Sequence, residues 1–301
     1  WPHQTGTRTM SAVDIVREFP DTTWAGEGPK RGVEAVVEDG LVISFPQLPF
    51  ALAEDERKFI DERWADGQAK NISVRWPGGE LRGAAAEGAD LEALRALIVR
   101  YAEHSEAFVL RLFPHYTGHL RRGNSSFRPA HVATRQTSWR KDDTRLHVDA
   151  FPSNPTHGTR LLRVFSNVNP SGVPRAWRVG ERFEDHARRY LPKIGRPLPL
   201  SAWLLQTAGI TKRRRTEYDH LMLQLHDRAK ADAEFQQNGP QARVDFAPGT
   251  TWVVYSDQVL HAAMGGQHMM EQTFYLDVEH LQQPATSPLR TLERLLQRPL
   301  R

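Results

Sequence analysis

Residues 126 to 282 break into short apolar runs separated by Pro, Gly, Asn and Ser, and no other feature constrains the fold as strongly. Runs of this length, rich in Val, Thr and aromatic residues and bounded by turn formers, predict β-strands. The whole stretch is therefore expected to form an antiparallel β core. The predicted strands are HVATRQTSW (131–139), TRLLRVFSNVNP (159–170), RVDFAPGTTWVVYSD (243–257), QVLHAAM (258–264) and EQTFYLDVEHL (271–281).

Helical periodicity occurs on both sides of the first predicted strands. Residues 90–112 repeat apolar side chains on one face behind Asp90, a suitable N-cap, and this spacing predicts a helix. Two more helices, at 181–194 and 217–237, form a predicted insert at about 181–237.

The segment ahead of the core, residues 10–125, is expected to pack on it as a strand and helices. Residues 34–50 predict a short strand with a turn, and residues 51–67 have the spacing of a helix. Residues 1–9, WPHQTGTRT, precede a Met and are typical of vector-derived sequence, so we do not expect them to belong to the fold.

The chain contains no cysteine, which excludes disulfides, thiolate metal sites and cysteine nucleophiles. Any metal must therefore be bound by His, Asp and Glu. The formal net charge of +4 and a pI near 9.5 favour an anionic partner without choosing between phosphate, carboxylate, nucleic acid and membrane. No apolar run is long enough to span a bilayer and no signal peptide is evident, so we expect a soluble, cytoplasmic protein.

His147 and Asp149 stand two residues apart at the head of a Pro/Asn/Gly turn, and His261 follows on a late predicted strand. Residues two apart on a strand point the same way, so the first two can face one interior point. A histidine on a late strand can reach that point too. Two histidines and a carboxylate on one face leave three open positions, which suits Fe(II) with a bidentate co-substrate and dioxygen. The spacing alone equally fits a surface His–Asp pair and a separate core histidine.

Two stretches resemble the Kdo (3-deoxy-D-manno-oct-2-ulosonic acid) hydroxylases, within the Fe(II)/2-oxoglutarate-dependent dioxygenases: HVDAFPSNPTHGTRLLRVFSNVNP (147–170) and WVVYSDQVLHAAMGGQHMMEQTFYLDV (252–278). The resemblance extends over about 35–282. It implies a double-stranded β-helix, or jelly-roll, with iron at His147, Asp149 and His261. It also implies dioxygen and 2-oxoglutarate as co-substrates, and hydroxylation at C3 of Kdo in Kdo-lipid A to give the sugar Ko during lipopolysaccharide inner-core synthesis.

The arginine that many of these oxygenases use for the distal carboxylate of 2-oxoglutarate is missing, since the corresponding stretch 271–275 reads EQTFY and Gln272 carries no charge. Arg160 and Arg163, on the strand after the His-x-Asp pair, are the alternatives, because an arginine fork matches a carboxylate. Arg163 is favoured because it lies further into the strand. Thr144 is expected to add a hydroxyl contact.

Basic residues near the predicted active strand are candidates for binding the anionic sugar: Arg128, Arg135, Arg140 and Arg145. The run Lys212 to Arg215 would suit phosphate groups or an anionic membrane leaflet, and it would fit nucleic acid too. The tail, 283–301, has leucines and arginines at helical spacing behind Ser287. It predicts an interfacial anchor, or a helix that packs on the core or mediates a dimer. A lipid substrate makes peripheral attachment to the inner membrane of a Gram-negative bacterium the expectation.

Two other functions stay open from the sequence. A 2-oxoglutarate oxygenase could act on a protein side chain or a free small molecule instead of Kdo. A non-catalytic β-barrel could bind anionic sugars or nucleic acid, with the two histidines and Asp149 as incidental polar residues. We expect no nucleic-acid partner, because the arginines are not interleaved with regularly spaced aromatic residues.

Overall fold

The computed structural model describes residues 15–26, 32–131, 138–195 and 201–301. The predicted vector-derived residues 1–9 lie outside the described part. The strands are β1 (Val16–Glu18), β2 (Val42–Phe45), β3 (Ile72–Val74), β4 (Leu81–Arg82), β5 (Arg121–Arg128), β6 (Arg160–Asn167), β7 (Arg175–Gly180), β8 (Gln241–Phe246), β9 (Thr251–Tyr255), β10 (His261–Ala263) and β11 (Met269–Leu276). The helices are α1 (Val33–Glu38), α2 (Gly88–Leu112), α3 (Phe183–Tyr190), α4 (Ser201–Thr207), α5 (Glu217–Ala231), α6 (Ala233–Asn238) and α7 (Pro288–Leu296).

The strands form two sheets. The larger has the order β1-β2-β9-β6-β11-β5-β3-β4, and the smaller has the order β10-β7-β8. Neighbouring strands pair antiparallel, except β1 with β2, which pair parallel. A mainly β architecture with flanking helices is thus confirmed.

Aromatic side chains pack the two sheets against each other. Trp177 of the smaller sheet contacts Phe165 and Trp252 of the larger sheet, with ring centroids 5.2 and 5.6 Å apart. Phe246, also of the smaller sheet, stacks on Trp252 at 4.1 Å. These four rings are buried, so their contact is the apolar layer that holds the sheets together.

The long helix α2 confirms the helix predicted at 90–112, although it begins two residues earlier, at Gly88. Its N-cap is Glu87, not Asp90, which lies in the first turn. The buried face of α2 includes Leu94, Leu97, Ile98 and Tyr101, and the Tyr101 hydroxyl donates to the carbonyl oxygen of Val164 at 3.2 Å. The helix therefore covers the larger sheet.

Of the two predictions ahead of the core, one is confirmed and one is wrong. Within 34–50 the predicted short strand is β2, although the helix α1, which was not predicted, precedes it and buries Val33, Val37 and Glu38. Within 51–67 the chain forms only two 3₁₀ turns, Arg57–Phe59 and Glu62–Trp64, instead of a helix. Apolar residues in this segment follow the helical period only briefly, so tertiary packing overrides it.

Most strands of the core follow the sequence prediction, in β6, β8, β9, β10 and β11. The strand predicted at 131–139 falls largely on 132–137, outside the described residues. Strands β5 and β7 were not predicted. The expected boundary between 125 and 126 lies inside β5, and β1 to β4 belong to the same sheet as the core strands. Helices α3 to α6 lie between β7 and β8, where the helical insert was predicted.

The tail forms α7, and Ser287 caps it by accepting from the Arg290 amide at 3.3 Å. Leu289 and Leu292 are fully buried in the main apolar cluster, and Leu295 and Leu296 pack against it. The apolar face of this helix is therefore part of the core. Among the described helices, none is long and apolar enough to cross a membrane.

A buried carboxylate joins α1 to the segment that follows β11. Glu38 is fully buried and accepts the Tyr116 hydroxyl at 2.8 Å. It also accepts the backbone amides of Gln282 and Gln283, at 3.1 and 2.6 Å. Two regions distant in the sequence are tied together by one side chain.

Glu38→Gln should lower the free energy of unfolding by about 1–3 kcal/mol, because an amide leaves at least one buried donor unpaired. Glu34→Gln, in the same helix at a partly exposed position, is the matched control and should cost little. Urea unfolding of both variants measures the difference. Equal midpoints for the two variants would contradict this role of Glu38.

Candidate metal centre

The backbone places His147 directly opposite His261. The His147 amide donates to the His261 carbonyl at 3.1 Å, and the His261 amide donates to the His147 carbonyl at 2.9 Å. The Asp149 amide donates to the Ser256 carbonyl at 2.8 Å. Backbone hydrogen bonds therefore hold the early and late segments side by side, although they are more than one hundred residues apart in sequence.

Alternation along each segment turns the polar side chains the same way. Leu146 and Val148 are fully buried in the main apolar cluster, so His147 and Asp149 face away from it. On the opposite segment Leu260 and Ala262 are likewise buried in the cluster on either side of His261. The apolar residues fix the register, and the register brings the three polar side chains to one face.

The three side chains have the geometry of a metal site. One ligand atom from each lies within 4.8 Å of the others, and His147 Nε2 is 3.7 Å from Asp149 Oδ1. His147 Nδ1 bonds to the Arg145 carbonyl at 2.7 Å, and His261 Nδ1 bonds to the Val259 carbonyl at 2.8 Å. Because a carbonyl only accepts, both Nδ1 atoms carry the proton and both Nε2 lone pairs are free for a metal.

Burial and neighbouring charge hold these groups in the ligand-competent protonation state. Burial, followed by the charge of the facing imidazole, lowers the pKa of His147 well below its usual value, and burial also lowers the pKa of His261. Burial alone would raise the pKa of Asp149, but Arg163 and the two imidazoles outweigh it and lower the pKa. Two neutral imidazoles and one carboxylate are the donor set of a facial triad, so the residues fit Fe(II).

The triad opens into a cavity of about 1500 Å³, and most of the residues that line it are polar or charged types. Trp177 lines it and stacks on His261, with ring centroids 5.2 Å apart. His226 lies beside His147, with centroids 5.3 Å apart. The cavity is large enough for a co-substrate and a sugar beside the metal.

Charges alternate along one wall of the cavity. Arg163 lies between Asp149, at 3.2 Å, and Glu271, at 3.0 Å. Arg128 contacts Glu271 at 2.8 Å and Asp143 at 3.5 Å. Lys70 pairs with Asp143 and ends the series. Each charge between the two ends of the series, Asp149 and Lys70, has an opposite charge on two sides, which offsets the cost of removing the series from water.

Arg175 is the exception to this pairing. It is only 1% exposed and lines the cavity. Its Nη1 donates to the Gly266 carbonyl at 2.8 Å, but Nε and Nη2 have no hydrogen-bond partner among the described residues. Burial lowers the pKa of Arg175 to about 9. A buried cation without a carboxylate partner is costly, so this position suits an anionic ligand.

Of the three residues predicted to hold 2-oxoglutarate, two line the cavity and one does not. Arg163 and Thr144 line the cavity, and the Thr144 hydroxyl donates to Asp142 at 2.7 Å. Arg160 does not line it: this side chain is fully buried, bonds to Asp257 and Gln258 at 2.7 Å each, and lies over the Tyr255 ring. Gln272 is also buried and contacts Ser125.

The predicted sugar-binding arginines have different environments. Arg128 lines the inner wall, and Arg140 lines the cavity while pairing with Asp227 at 3.1 Å. Arg145 is not in the lining and bonds to Asp142 and the Lys230 carbonyl. Arg135 lies outside the described residues.

Sequence reasoning missed several cavity residues, namely Lys70, Arg175, Trp177, His226, Lys230 and Glu271. A usable signal existed for two of them. Arg175 and Trp177 lie two apart in RAWRVG, and residues two apart on a strand point the same way, so assigning β7 would have placed both on one face. Glu271 lies in the stretch EQTFY, which lacks an arginine, and no comparable pattern marks it.

Comparison with known proteins decides the family. A family model described as 3-deoxy-D-manno-oct-2-ulosonic acid (Kdo) hydroxylase matches residues 22–299. The chain belongs to the Kdo hydroxylase family. The expected resemblance is therefore confirmed over nearly the whole chain. Among curated proteins, no significant match is found.

Solved structures of the Kdo hydroxylase KdoO, a non-heme Fe(II) and α-ketoglutarate-dependent dioxygenase, agree with this family. The cobalt(II) complex is 47% identical, with a TM-score of 0.92, and the alignment covers 95% of this chain and 97% of that one. The complex with α-ketoglutarate and Fe(III) is 46% identical, with a TM-score of 0.91 and the same coverage. The apo structure is 46% identical, with a TM-score of 0.92, again at that coverage.

Asp149→Ala should weaken Co(II) binding at least about a hundredfold, because it removes one of three ligands, a larger change than loss of an outer partner. Asp245→Ala, which removes an exposed carboxylate on β8, is the control and should leave the affinity unchanged. Visible absorption during anaerobic Co(II) titration measures both. Equal affinity of the two variants would remove Asp149 from the metal site.

Proposed function

We propose that this protein is an Fe(II)/2-oxoglutarate-dependent dioxygenase that hydroxylates C3 of Kdo in Kdo-lipid A, giving Ko during lipopolysaccharide inner-core synthesis. The observation that carries the proposal is the convergence of His147, Asp149 and His261 within 4.8 Å at the wall of a large cavity. Membership of the Kdo hydroxylase family supports the substrate.

In this proposal the two imidazole Nε2 atoms and the Asp149 carboxylate hold iron on one face. Iron with 2-oxoglutarate and dioxygen supplies the oxidising power that converts a substrate C–H bond to C–OH. The protein's own residues orient the ligand side chains and exclude solvent. The backbone carbonyls of Arg145 and Val259 fix the two rings, and the stacked Trp177 shields His261 from solvent.

The double-stranded β-helix is part of the same proposal. The smaller sheet gains a fourth member where the His147 segment pairs with β10, and the larger sheet faces it across the Trp177 and Trp252 layer. Two antiparallel sheets facing each other, with a ligand site between them, are what a jelly-roll requires. The helices α3 to α6 then form an insert between two strands of the smaller sheet.

We propose that the carboxylates of 2-oxoglutarate bind at Arg163 and Arg175. Arg163 is the residue favoured by the sequence, and it lies 3.2 Å from the metal ligand Asp149. Arg175 offers two guanidinium nitrogens with no other partner, which a carboxylate would satisfy. Thr144 remains a candidate contact at the cavity wall. Arg160, which is paired with Asp257 and Gln258 and does not line the cavity, is the least suited of the candidates.

The sugar acid would then occupy the outer cavity. Arg140 and Lys230 are basic residues of its lining, and Arg140 is the best placed of the predicted sugar-binding arginines. Arg128 forms an ion pair with Glu271 and would contact the sugar acid from the wall that carries the alternating charges. Since the substrate is a lipid, we also propose that the enzyme works at the cytoplasmic face of the inner membrane.

The direct test combines the protein with Kdo-lipid A, Fe(II), 2-oxoglutarate and dioxygen. Mass spectrometry should detect the gain of one oxygen atom on the Kdo residue, in step with succinate release. The Asp149→Ala variant is the control and should release neither product. A wild-type protein that oxidises 2-oxoglutarate but never modifies Kdo-lipid A would overturn the substrate and leave the cofactors in place.

Arg175 and Arg160 should respond oppositely to replacement by Met. Arg175→Met should lower 2-oxoglutarate affinity at least about tenfold and leave the free energy of unfolding unchanged or raise it by about 1–4 kcal/mol, because a buried unpaired charge is removed. Arg160→Met should cost about 3–5 kcal/mol, since Asp257 loses its partner, with 2-oxoglutarate affinity unchanged.

The affinity is measured anaerobically from the charge-transfer absorption of the Fe(II) complex, and the stability by urea unfolding of metal-free protein. Arg160→Lys keeps a charge beside Asp257 and allows the affinity measurement where the Met variant does not fold. A large loss of 2-oxoglutarate affinity at position 160 with none at 175 would reverse the assignment.

A further inference from the structure

Three large apolar side chains are exposed within eight residues of the helical insert. Trp203 and Leu204 on α4 are 52% and 56% exposed, and Ile210 just after it is 57% exposed. Single exposed apolar residues are ordinary, but a Trp, a Leu and an Ile so close together are not. Together with the basic run Lys212–Arg215, they define what we call the docking face.

The docking face is strongly basic. Residues 201–216 contain one Lys and three Arg and no acidic residue. Lys212, Arg213 and Arg214 are exposed, and in the described part of the chain none of the four cations forms a salt bridge. Exposed aromatic and aliphatic side chains beside unpaired basic residues match the interface of an anionic bilayer, where both are stabilised.

Hydrogen bonds fasten the docking face to the edge of the cavity. The Lys212 amide donates to the Ser153 carbonyl at 3.0 Å, and Arg215 donates to the Pro152 carbonyl at 2.6 Å. Pro152 and Phe151, which follow the metal ligand Asp149 in sequence, line the cavity. A surface that binds this face would therefore lie beside the route into the metal centre.

The C-terminal helix α7 is a poorer anchor than the sequence indicates. Its leucines are buried in the core or packed against it. Its basic residues are also paired: Arg290 contacts Glu293 at 2.7 Å, and Arg294 contacts Glu184 at 2.9 Å. With neither its apolar face nor its charges free, this helix has little to offer a membrane.

We propose that the docking face binds the surface of an anionic phospholipid bilayer and holds the cavity mouth against it. The inference rests on the proposed function, because a sugar attached to a membrane lipid can reach the iron only if the cavity opens toward the bilayer. It adds which surface makes the contact. Trp203, Leu204 and Ile210 enter the interface, and Lys212 to Arg215 meet the phosphate groups.

Sedimentation with vesicles of phosphatidylethanolamine and phosphatidylglycerol tests the surface without any catalysis. The variant Trp203→Ser/Leu204→Ser/Ile210→Ser should reduce partitioning at least about tenfold. Lys212→Ser and Arg214→Ser should each reduce it about fivefold, the equivalent of roughly 1 kcal/mol per basic residue. Trp76→Ser/Val173→Ser, which removes two exposed apolar side chains elsewhere, is the matched control and should bind as the wild type does.

A second measurement does not depend on how well the triple variant folds. Brominated lipids should quench part of the wild-type tryptophan emission, and Trp203→Phe should remove the quenchable part. The other seven tryptophans are the internal reference. Quenching that is unchanged in Trp203→Phe would overturn the proposal.

Other outcomes are equally decisive. Wild-type protein that stays in the supernatant, or a triple variant that sediments normally, overturns the proposal. So does a triple variant that becomes monomeric with unchanged vesicle binding, because the face would then cover a second copy of this chain. Vesicle binding with no activity on Kdo-lipid A would overturn the proposed substrate alone.

Discussion

The structure depends on the antiparallel pairing of the His147 segment with the His261 segment. Two reciprocal backbone hydrogen bonds join residues that are far apart in sequence and attach the His147 segment to β10, the edge strand of the smaller sheet. Buried apolar neighbours, Leu146 and Val148 on one segment and Leu260 and Ala262 on the other, fix the register, so the two histidines and Asp149 lie on the opposite face. Packing of the apolar core and assembly of the metal centre therefore depend on the same register. A register shift of one residue would turn the apolar side chains out of the core and the ligands out of the site.

The charged wall shows how a buried polar site is made tolerable. From Asp149 through Arg163, Glu271 and Arg128 to Asp143 the signs alternate, so most of the charges that leave water gain partners. Arg175 is left over, buried and with two nitrogens unsatisfied. A fold selected for stability alone would not keep such a cation. Its place in the cavity makes sense if a dicarboxylate completes the network, which ties 2-oxoglutarate binding to the stability of the protein.

The helical insert contacts the loop at the edge of the cavity. It lies between β7 and β8, and its basic run folds back on the loop that follows Asp149. The same short loop therefore contributes to the cavity lining and to the fastening of an exposed apolar and basic surface. If the exposed surface binds a bilayer as proposed, this connection would place the cavity opening and the membrane contact on one side of the protein.

Local periodicity in the sequence was enough to predict the helix at 90–112, most core strands, and the shared orientation of His147 and Asp149, because these depend on residues a few positions apart. It could also show that Arg160 and Arg163, three apart on one strand, face opposite ways. It could not show which of the two faces the cavity. That choice, together with the meeting of Arg175 and Glu271 and the loss of the helix expected at 51–67, depends on which strands pair over long range, and only the tertiary structure decides it.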